Sequence, residues 1–293
     1  MKPEISVVMP VLNGEKYLAE AMRSILEQSL SDFEFIIIND GSTDKTEEII
    51  KSFNDSRIVY VNNPTNLGLS KSFNIGIRET RGEYIARMDA DDIALPDRFE
   101  KQLDFLRSNP EIDIVGSAIW RIDKDGKKLG VSHKALLPKA LEWQSLFSTP
   151  LFHPTVMGRT QVFKENHFDE SLSSSEDYEL WSRLMFEKGS KLANLSEPLL
   201  LYRVFPGSFT KSLSPEKRIN SINNSLKNIE RYTSLSQSEK ELFTKAVMGK
   251  PSVRESFKIL TLYMRIRNQF IAKESFTPSL KPFVLNLLKR LLK

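Results

Sequence analysis

Three carboxylates stand close together in the segment Met88-Asp89-Ala90-Asp91-Asp92, directly after a short apolar run. Like charges repel one another, so such a cluster at the end of a strand indicates an oxygen-liganded cation. The chain has no cysteine, and the remaining oxygen and imidazole ligands favour Mg²⁺ or Mn²⁺ over structural zinc. A solvated acidic loop in which Asp91 or Asp92 caps the next helix is an alternative explanation.

A second polar segment, Asn39-Asp40-Gly41-Ser42-Thr43-Asp44, also follows an apolar run. Gly41 permits a tight turn, and Thr43 or Asp44 can cap the helix that follows. Turn formation and helix capping explain these residues but do not explain Asp40. Its carboxylate can accept hydrogen bonds from a uracil ring or a ribose, although a simple turn explains the segment as well.

A third candidate segment contains a pair of carboxylates, Glu176 and Asp177, at the start of an amphipathic stretch. Acidic residues are common in a first helical turn because they complement the helix dipole. If this helix faces Asp91, however, one of the two carboxylates can act as a general base on an acceptor hydroxyl.

Histidine and the larger polar side chains give weaker signals. The three histidines are too scattered in the sequence for a zinc site. His153 lies in a loop, where it either contacts substrate or has a structural role. Trp181, Arg159 and Arg183 can bind phosphate or stack on a sugar, but core packing and surface ion pairs are their default roles.

Apolar runs that alternate with helical periodicity predict the elements that position these residues. We expect an α/β fold with a mostly parallel sheet flanked by helices. Asn13, Asp40 and Asp89 each come directly after a predicted strand, so they should meet at one edge of the sheet. The predicted strands are 5–11, 33–38, 58–61, 84–88, 112–120 and 197–204, and the predicted helices are 18–26, 44–53, 69–79, one after Pro96, and 177–186.

Charge is distributed unevenly along the 293 residues. The net charge is +4, yet the segment from Lys211 to Lys293 holds 17 Lys or Arg against six Glu and no Asp. A membrane span needs about 20 consecutive apolar residues, and no run in the sequence approaches that length. The first residues also lack the apolar stretch of a signal peptide. We therefore expect a cytoplasmic protein whose basic C-terminal part is attracted to anionic surfaces.

Six segments, in this order, resemble the family 2 glycosyltransferases of the GT-A fold. They cover about residues 5 to 204, and the similarity is greatest to bacterial enzymes of exopolysaccharide, capsule and O-antigen assembly. The matching segments are VVMPVLNGEKYL, IIINDGSTD, NLGLSKSFNIGI, RGEYIARMDADDIALPDRFEKQ, HPTVMGR and SSEDYELWSRL.

The resemblance implies a nucleotide-sugar-dependent, hexosyl-type transferase that inverts the anomeric carbon and uses Mn²⁺ or Mg²⁺. Asp91 would hold the metal, Asp177 would be the catalytic base, and Asp89 would contact the ribose of a UDP-sugar. His153, Glu176 and Trp181 would lie near the acceptor or diphosphate. The remaining residues implied for the nucleotide pocket are Pro10, Val11, Asn13, Asp40, Asn66 and Lys71.

Two positions depart from the family pattern. Many relatives carry arginine where this chain has Phe73, and histidine where it has Phe205. Two phosphate contacts are thus missing, and the metal, Lys71 and Lys211 are the candidates to neutralise the phosphates instead.

We expect two parts of the chain: a GT-A catalytic domain over residues 1–213, which the resemblance implies, and a basic extension over 214–293, which the sequence pattern predicts to be mostly helical. Within the extension, residues 280–293 place apolar side chains on one helical face and Lys or Arg elsewhere. Such a helix either lies peripherally on the inner face of the cytoplasmic membrane, near a lipid-linked acceptor, or packs on the protein or in an oligomer.

Three other functions are alternatives to the transferase. A catalytically silent nucleotide-sugar-binding or regulatory protein would share the fold, but the retained Asp89, Asp91 and Asp177 argue against it. Nucleic-acid binding is disfavoured because the basic residues alternate with aliphatic rather than stacking aromatic ones. A nucleotidyltransferase should carry a Gly- and Arg-rich phosphate loop after the first strand, and residues 10–16 have no Arg and a single Gly.

Overall fold

The computed structural model describes residues 2–205, 215–248 and 251–278. Within them the chain forms nine strands, which belong to a single sheet. These strands are β1 (Ile5–Val11), β2 (Phe33–Asp40), β3 (Ile58–Asn63), β4 (Tyr84–Arg87), β5 (Ile93–Ala94), β6 (Ile114–Ile122), β7 (Lys128–Ser132), β8 (Met157–Arg159) and β9 (Leu192–Arg203).

Ten α-helices lie in the described residues, and a short 3₁₀ turn spans His153–Thr155. The helices are α1 (Leu18–Leu26), α2 (Thr46–Ser52), α3 (Leu69–Glu79), α4 (Arg98–Ser108), α5 (Pro138–Gln144), α6 (Thr160–Glu165), α7 (Glu176–Glu187), α8 (Pro215–Glu230), α9 (Gln237–Met248) and α10 (Val253–Glu274).

The predicted α/β fold is confirmed. The strand order is β3-β2-β1-β4-β8-β6-β9-β5, with β7 paired to β6. Strands β1 to β4 are parallel, as the alternation of strands and helices predicts, and β6 is parallel to β9. The short strands β5, β7 and β8 pair antiparallel with their neighbours, so the second half of the sheet is mixed.

Apolar residues of the strands fill both faces of the sheet, which explains the near-continuous burial of β1 and β2. One face packs on α1 and α4 and the other on α3, α6 and α7. A third apolar cluster joins α8, α9 and α10 to the segment around Leu146. The C-terminal helices therefore pack directly on the sheet-containing part.

The predicted elements are present. The strand at 5–11 and the helices at 18–26 and 69–79 match fully, and the bounds of the others differ by one to five residues. The proline prediction is wrong in detail, because α4 begins at Arg98 with Asp97 as its N-cap, and Pro96 lies outside the first turn. That N-cap also removes the alternative in which Asp91 or Asp92 caps the next helix. Residues 280–293 lie outside the described residues.

Candidate active site

The three carboxylates that follow β4 converge. One oxygen from each of Asp89, Asp91 and Asp92 lies within 4.8 Å of the others. Arg203, at the end of β9, fixes the loop: its backbone N–H donates to Asp92 Oδ1 at 2.8 Å, and its Nε donates to the backbone carbonyl of Asp91 at 2.9 Å. The same guanidinium pairs with Glu20 at 2.6 Å. Arg203 thus connects the acidic loop to the end of β9 and to α1.

This cluster carries more negative charge than its own contacts neutralise. Burial, and then the charge of Asp89, raise the pKa of Asp91 to about 6. Burial, with Asp91 and Asp89, raises the pKa of Asp92 well above its ordinary value. Asp92 Oδ2 is buried and has no hydrogen-bond partner among the described residues. A hard divalent cation fits an all-oxygen donor set of this kind.

Arg87, the last residue of β4, lies between this cluster and the carboxylate pair Glu176 and Asp177. Its Nη1 is 2.6 Å from Asp89 Oδ2, and its guanidinium lies over the ring of Phe73 at 4.8 Å from the centroid. Burial raises the pKa values of Asp177 and Glu176, and the positive charge of Arg87 opposes both shifts. One buried cation therefore acts on the carboxylates of both segments.

Glu176 and Asp177 occupy the first turn of α7. Glu176 is 6% exposed, and burial, followed by the charge of Asp177, raises its pKa to about 7. Thr149 Oγ1 donates a hydrogen bond of 3.3 Å to Asp177 Oδ2, and Lys134 Nζ donates to the Thr149 carbonyl at 2.8 Å. Burial lowers the pKa of Lys134 to about 8, and the nearby Asp177 opposes that shift. Asp177 is half-buried, whereas Glu176 is buried, and the positive charges of Arg87 and Lys134 both favour the ionised form of Asp177.

Asp40 is 4% exposed and holds the loop that follows β3. Its Oδ1 accepts hydrogen bonds of 2.9 Å from Asn63 Nδ2 and from the Leu67 N–H, and its Oδ2 accepts one of 3.0 Å from the Gly68 N–H. Asn66 Oδ1 accepts from the same Gly68 N–H at 2.9 Å. Gly41 allows this approach, because a side chain there would meet the backbone of Thr65 at 2.5 Å. Asp40 thus has a structural role, and its contact with a base stays a prediction.

The loops after β1 and β2 are joined by hydrogen bonds. Asn13 lies in the left-handed region of backbone conformation, with φ 51°. Its Oδ1 accepts a hydrogen bond of 2.9 Å from the Thr43 N–H, and its own N–H donates one of 2.9 Å to Ser42 Oγ. Pro10 and Val11 are buried in β1, whereas Lys71 is exposed on α3. Strand register pairs Val11 with Asn39, so the Asn13 and Asp40 loops are adjacent. The sheet edge predicted as the site is formed by these loops.

His153 lies in an aromatic stack. Its ring centroid is 5.3 Å from Phe73, 5.5 Å from Phe168 and 5.9 Å from Trp181. Burial, with Arg87, lowers the pKa of His153 well below its ordinary value, so the imidazole is neutral. Trp181 is fully buried in the core, which is the packing role considered for it. Arg159 and Arg183 donate to the carbonyls of Leu106 and His167, which agrees with their default structural role.

Sequence reasoning missed three cations of this site: Arg87, Lys134 and Arg203 as the anchor of the acidic loop. A signal existed for Arg87, because it follows the buried residues Tyr-Ile-Ala within a strand, where an unpaired charge is costly. Arg87 also bears on the departure at Phe73, whose ring supports the guanidinium. At the other departure, Phe205 packs on Tyr17 at 5.7 Å. Lys211 lies outside the described residues.

A mixed α/β sheet with an acidic loop after β4 and a carboxylate pair on α7 defines the GT-A class of sugar-transferring folds. Residues 6–166 match the family model described as "Glycosyl transferase family 2". The chain belongs to this family, and the predicted membership is confirmed.

Relatives and solved structures agree. An uncharacterized glycosyltransferase of Methanocaldococcus jannaschii is 39% identical over 212 residues, covering 69% of this chain and 71% of the relative. The O-antigen biosynthesis glycosyltransferase WbnJ of Escherichia coli is 35% identical over 217 residues, covering 71% and 82%. The crystal structure of S. aureus TarS 1–349 with UDP-GlcNAc matches with a TM-score of 0.64 at 20% identity, covering 98% of this chain and 88% of that one.

Proposed function

We propose that this glycosyltransferase moves a sugar from a UDP-sugar to a saccharide or lipid-linked acceptor in surface polysaccharide biosynthesis, with inversion at the anomeric carbon. The observation that carries the proposal is the position of Arg87 between two acidic groups, the Asp89-Asp91-Asp92 cluster and the Glu176-Asp177 pair. Support for the donor comes from TarS, which has been crystallised with UDP and with UDP-GlcNAc. Support for the pathway comes from the O-antigen enzyme WbnJ.

The proposed chemistry is a single displacement. Asp177 accepts the proton of the acceptor hydroxyl while the acceptor oxygen forms its bond to the anomeric carbon and the carbon–phosphate oxygen bond breaks. Burial raises the pKa of Asp177, which makes it a stronger base than an exposed aspartate. Glu176, protonated over part of the neutral range because its pKa is about 7, limits the negative charge beside it.

Asp91 would hold a Mn²⁺ or Mg²⁺ ion, with Asp89 and Asp92 close enough to contribute. The ion would supply positive charge to the diphosphate leaving group. The nucleotide would be surrounded by seven residues: Pro10, Val11, Asn13, Asp40, Asn66, Lys71 and Asp89. Asp89 would contact the ribose with the oxygen that does not pair with Arg87. His153 and Trp181 would shape the acceptor side through the aromatic stack.

The test is a screen of nucleotide sugars for product formation and for thermal stabilisation, with and without Mn²⁺. We expect a UDP-sugar to give the strongest response, and Asp91→Asn to lose the metal-dependent part. Asp177→Asn should lower turnover by about 10³-fold while UDP still raises Tm. Full activity of Asp177→Asn would remove it as the base, and activity unaffected by chelation would remove the metal.

A catalytically silent nucleotide-sugar-binding protein is the second candidate, and retention of all the acidic groups disfavours it. In the same screen it would show thermal stabilisation by UDP but no product. We also propose a cytoplasmic location, either free or peripheral on the inner membrane face, and the division into residues 1–213 and 214–293. No helix within the described ranges is long and apolar enough to cross a membrane.

A further inference from the structure

One face of α8 carries a row of polar side chains that contact α7, the residues just before α7, and Ser145 at the end of α5. Asn228 Nδ2 donates to the Ser145 carbonyl and to Ser182 Oγ, both at 2.8 Å. Ser225 Oγ lies 3.1 Å from the hydroxyl of Tyr178, the residue that follows Asp177. Spacings of three and four residues place such side chains on one helical face. This row therefore runs along the helix that carries the carboxylate pair.

The end of the row reaches the backbone that leads into Glu176. Asn220 Nδ2 donates to the Ser174 carbonyl at 3.3 Å, and Asn224 Nδ2 donates to the Ser175 carbonyl at 3.5 Å. Ser175 is the N-cap of α7 and has φ 60°. The backbone of a residue other than glycine is strained in this left-handed region, and the conformation persists only where surrounding contacts fix it. The two asparagines are contacts of that kind.

The row is buried at Ser225 and Asn228 and half-buried at Asn220 and Asn224. Asn228 and Ser145 are not exposed, Ser225 is 2% exposed and Tyr178 is 1% exposed. The Tyr178 hydroxyl also donates to the Ser145 carbonyl at 2.6 Å. Buried hydrogen bonds select one arrangement of the helices, because any other leaves polar groups without partners. A purely apolar contact between α7 and α8 would allow the helices to slide.

We propose that α8, although it lies in the C-terminal extension, positions the Glu176-Asp177 pair for catalysis, with Asn220 and Asn224 as positioning residues. The inference rests on the proposed function, in which Asp177 is the base. It implies that the 214–293 extension contributes to the catalytic domain of residues 1–213, because the loop before α7 contacts a helix that begins at Pro215.

The test compares the variants Asn220→Ala and Asn224→Ala, alone and combined, with Asn223→Ala. Asn223 is exposed on the same helix and makes none of these contacts, so it controls for helix propensity and handling. The probe is release of UDP from UDP-GlcNAc, or from the best donor of the screen, with Mn²⁺ and well below each Tm. We expect the double variant to lose about 10-fold or more in kcat, with the KM for the donor changed less than about twofold.

Two further variants separate positioning from stability. Asn224→Asp keeps the shape but has no N–H to donate, so it should resemble Asn224→Ala, whereas Asn224→Gln should recover part of kcat. The inference is overturned if kcat stays at the Asn223→Ala value, or if it falls only with the folded fraction. Failure of the proposed function looks different, because Asp177→Asn would then be active whatever the α8 variants do.

Discussion

Arg87 Nη1 lies 2.6 Å from Asp89 Oδ2, and the same guanidinium lies over the Phe73 ring, 4.8 Å from its centroid. An arginine held in this way keeps a fixed positive charge between two groups of carboxylates, and a mobile lysine would not match its geometry. Arg87 opposes the effect of burial on the pKa values of Asp91, Glu176 and Asp177. This relationship motivates the first prediction.

Replacing Arg87 by methionine should lower kcat/KM by about 10²-fold, as loss of one preorganised charged donor does in other active sites. The pKa values of the three carboxyls should rise further, so the acid limb of the pH–rate profile should move to higher pH. Arg87→Lys should recover only part of the activity. The exposed Arg78 provides the matched control, Arg78→Met. An unchanged pH profile in Arg87→Met would contradict the prediction.

Glu176→Gln should alter the pH dependence of stability in the metal-free protein. The folded-state pKa of about 7 lies above the ordinary 4.5, because burial and then Asp177 favour the protonated form. Stability should therefore be greatest below about pH 4.5 as far as this group is concerned, and should fall as pH rises to about 7. The loss should be on the order of 1 to 3 kcal/mol.

The measurement is the free energy of unfolding in urea at pH 5 and at pH 8. The Gln variant should show a smaller decrease between the two pH values than the parent, because Gln does not titrate. Glu83→Gln, at an exposed position, is the control and should follow the parent. Equal slopes in all three proteins would show that Glu176 titrates normally.

Lys134→Met should weaken Asp177 as a base at neutral pH. Lys134 Nζ donates to the Thr149 carbonyl, and Thr149 Oγ1 donates to Asp177, so the ammonium group supports the position and the charge of the carboxylate. Without it the pKa of Asp177 should rise beyond the increase that burial already causes. We expect the acid limb of kcat to shift upward in Lys134→Met but not in Lys134→Arg. Lys188→Met, at an exposed site, should leave the profile unchanged.

Truncation before Leu280 should reduce binding to anionic vesicles. The removed residues 280–293 hold four Lys or Arg among apolar side chains. A peripheral helix of this composition binds through both features, so binding should be salt-sensitive and weaker on neutral lipid. The measurement is flotation with phosphatidylglycerol and phosphatidylcholine vesicles. Equal flotation of the full and truncated chains would assign the segment to packing on the protein instead.

The sequence by itself determined the order of the elements and the family. Apolar runs such as Ile5–Val11 must be buried, and their spacing with helical segments leaves few arrangements besides a parallel sheet. The sequence therefore predicts that the polar residues at the strand ends, Asn13, Asp40 and Asp89, lie at one edge of the sheet. Local periodicity and turn chemistry contain this information because they depend on neighbours within a few residues.

Only the tertiary structure decided which charges meet. Arg203 is 111 positions from Asp92, and Lys134 reaches Asp177 through Thr149, contacts that no local pattern encodes. The mixed half of the sheet was likewise missed, because short strands such as β5 and β8 are recruited by their partners rather than by their own composition. Burial then sets the pKa values of Asp91 and Glu176, since desolvation depends on every element packed around a group.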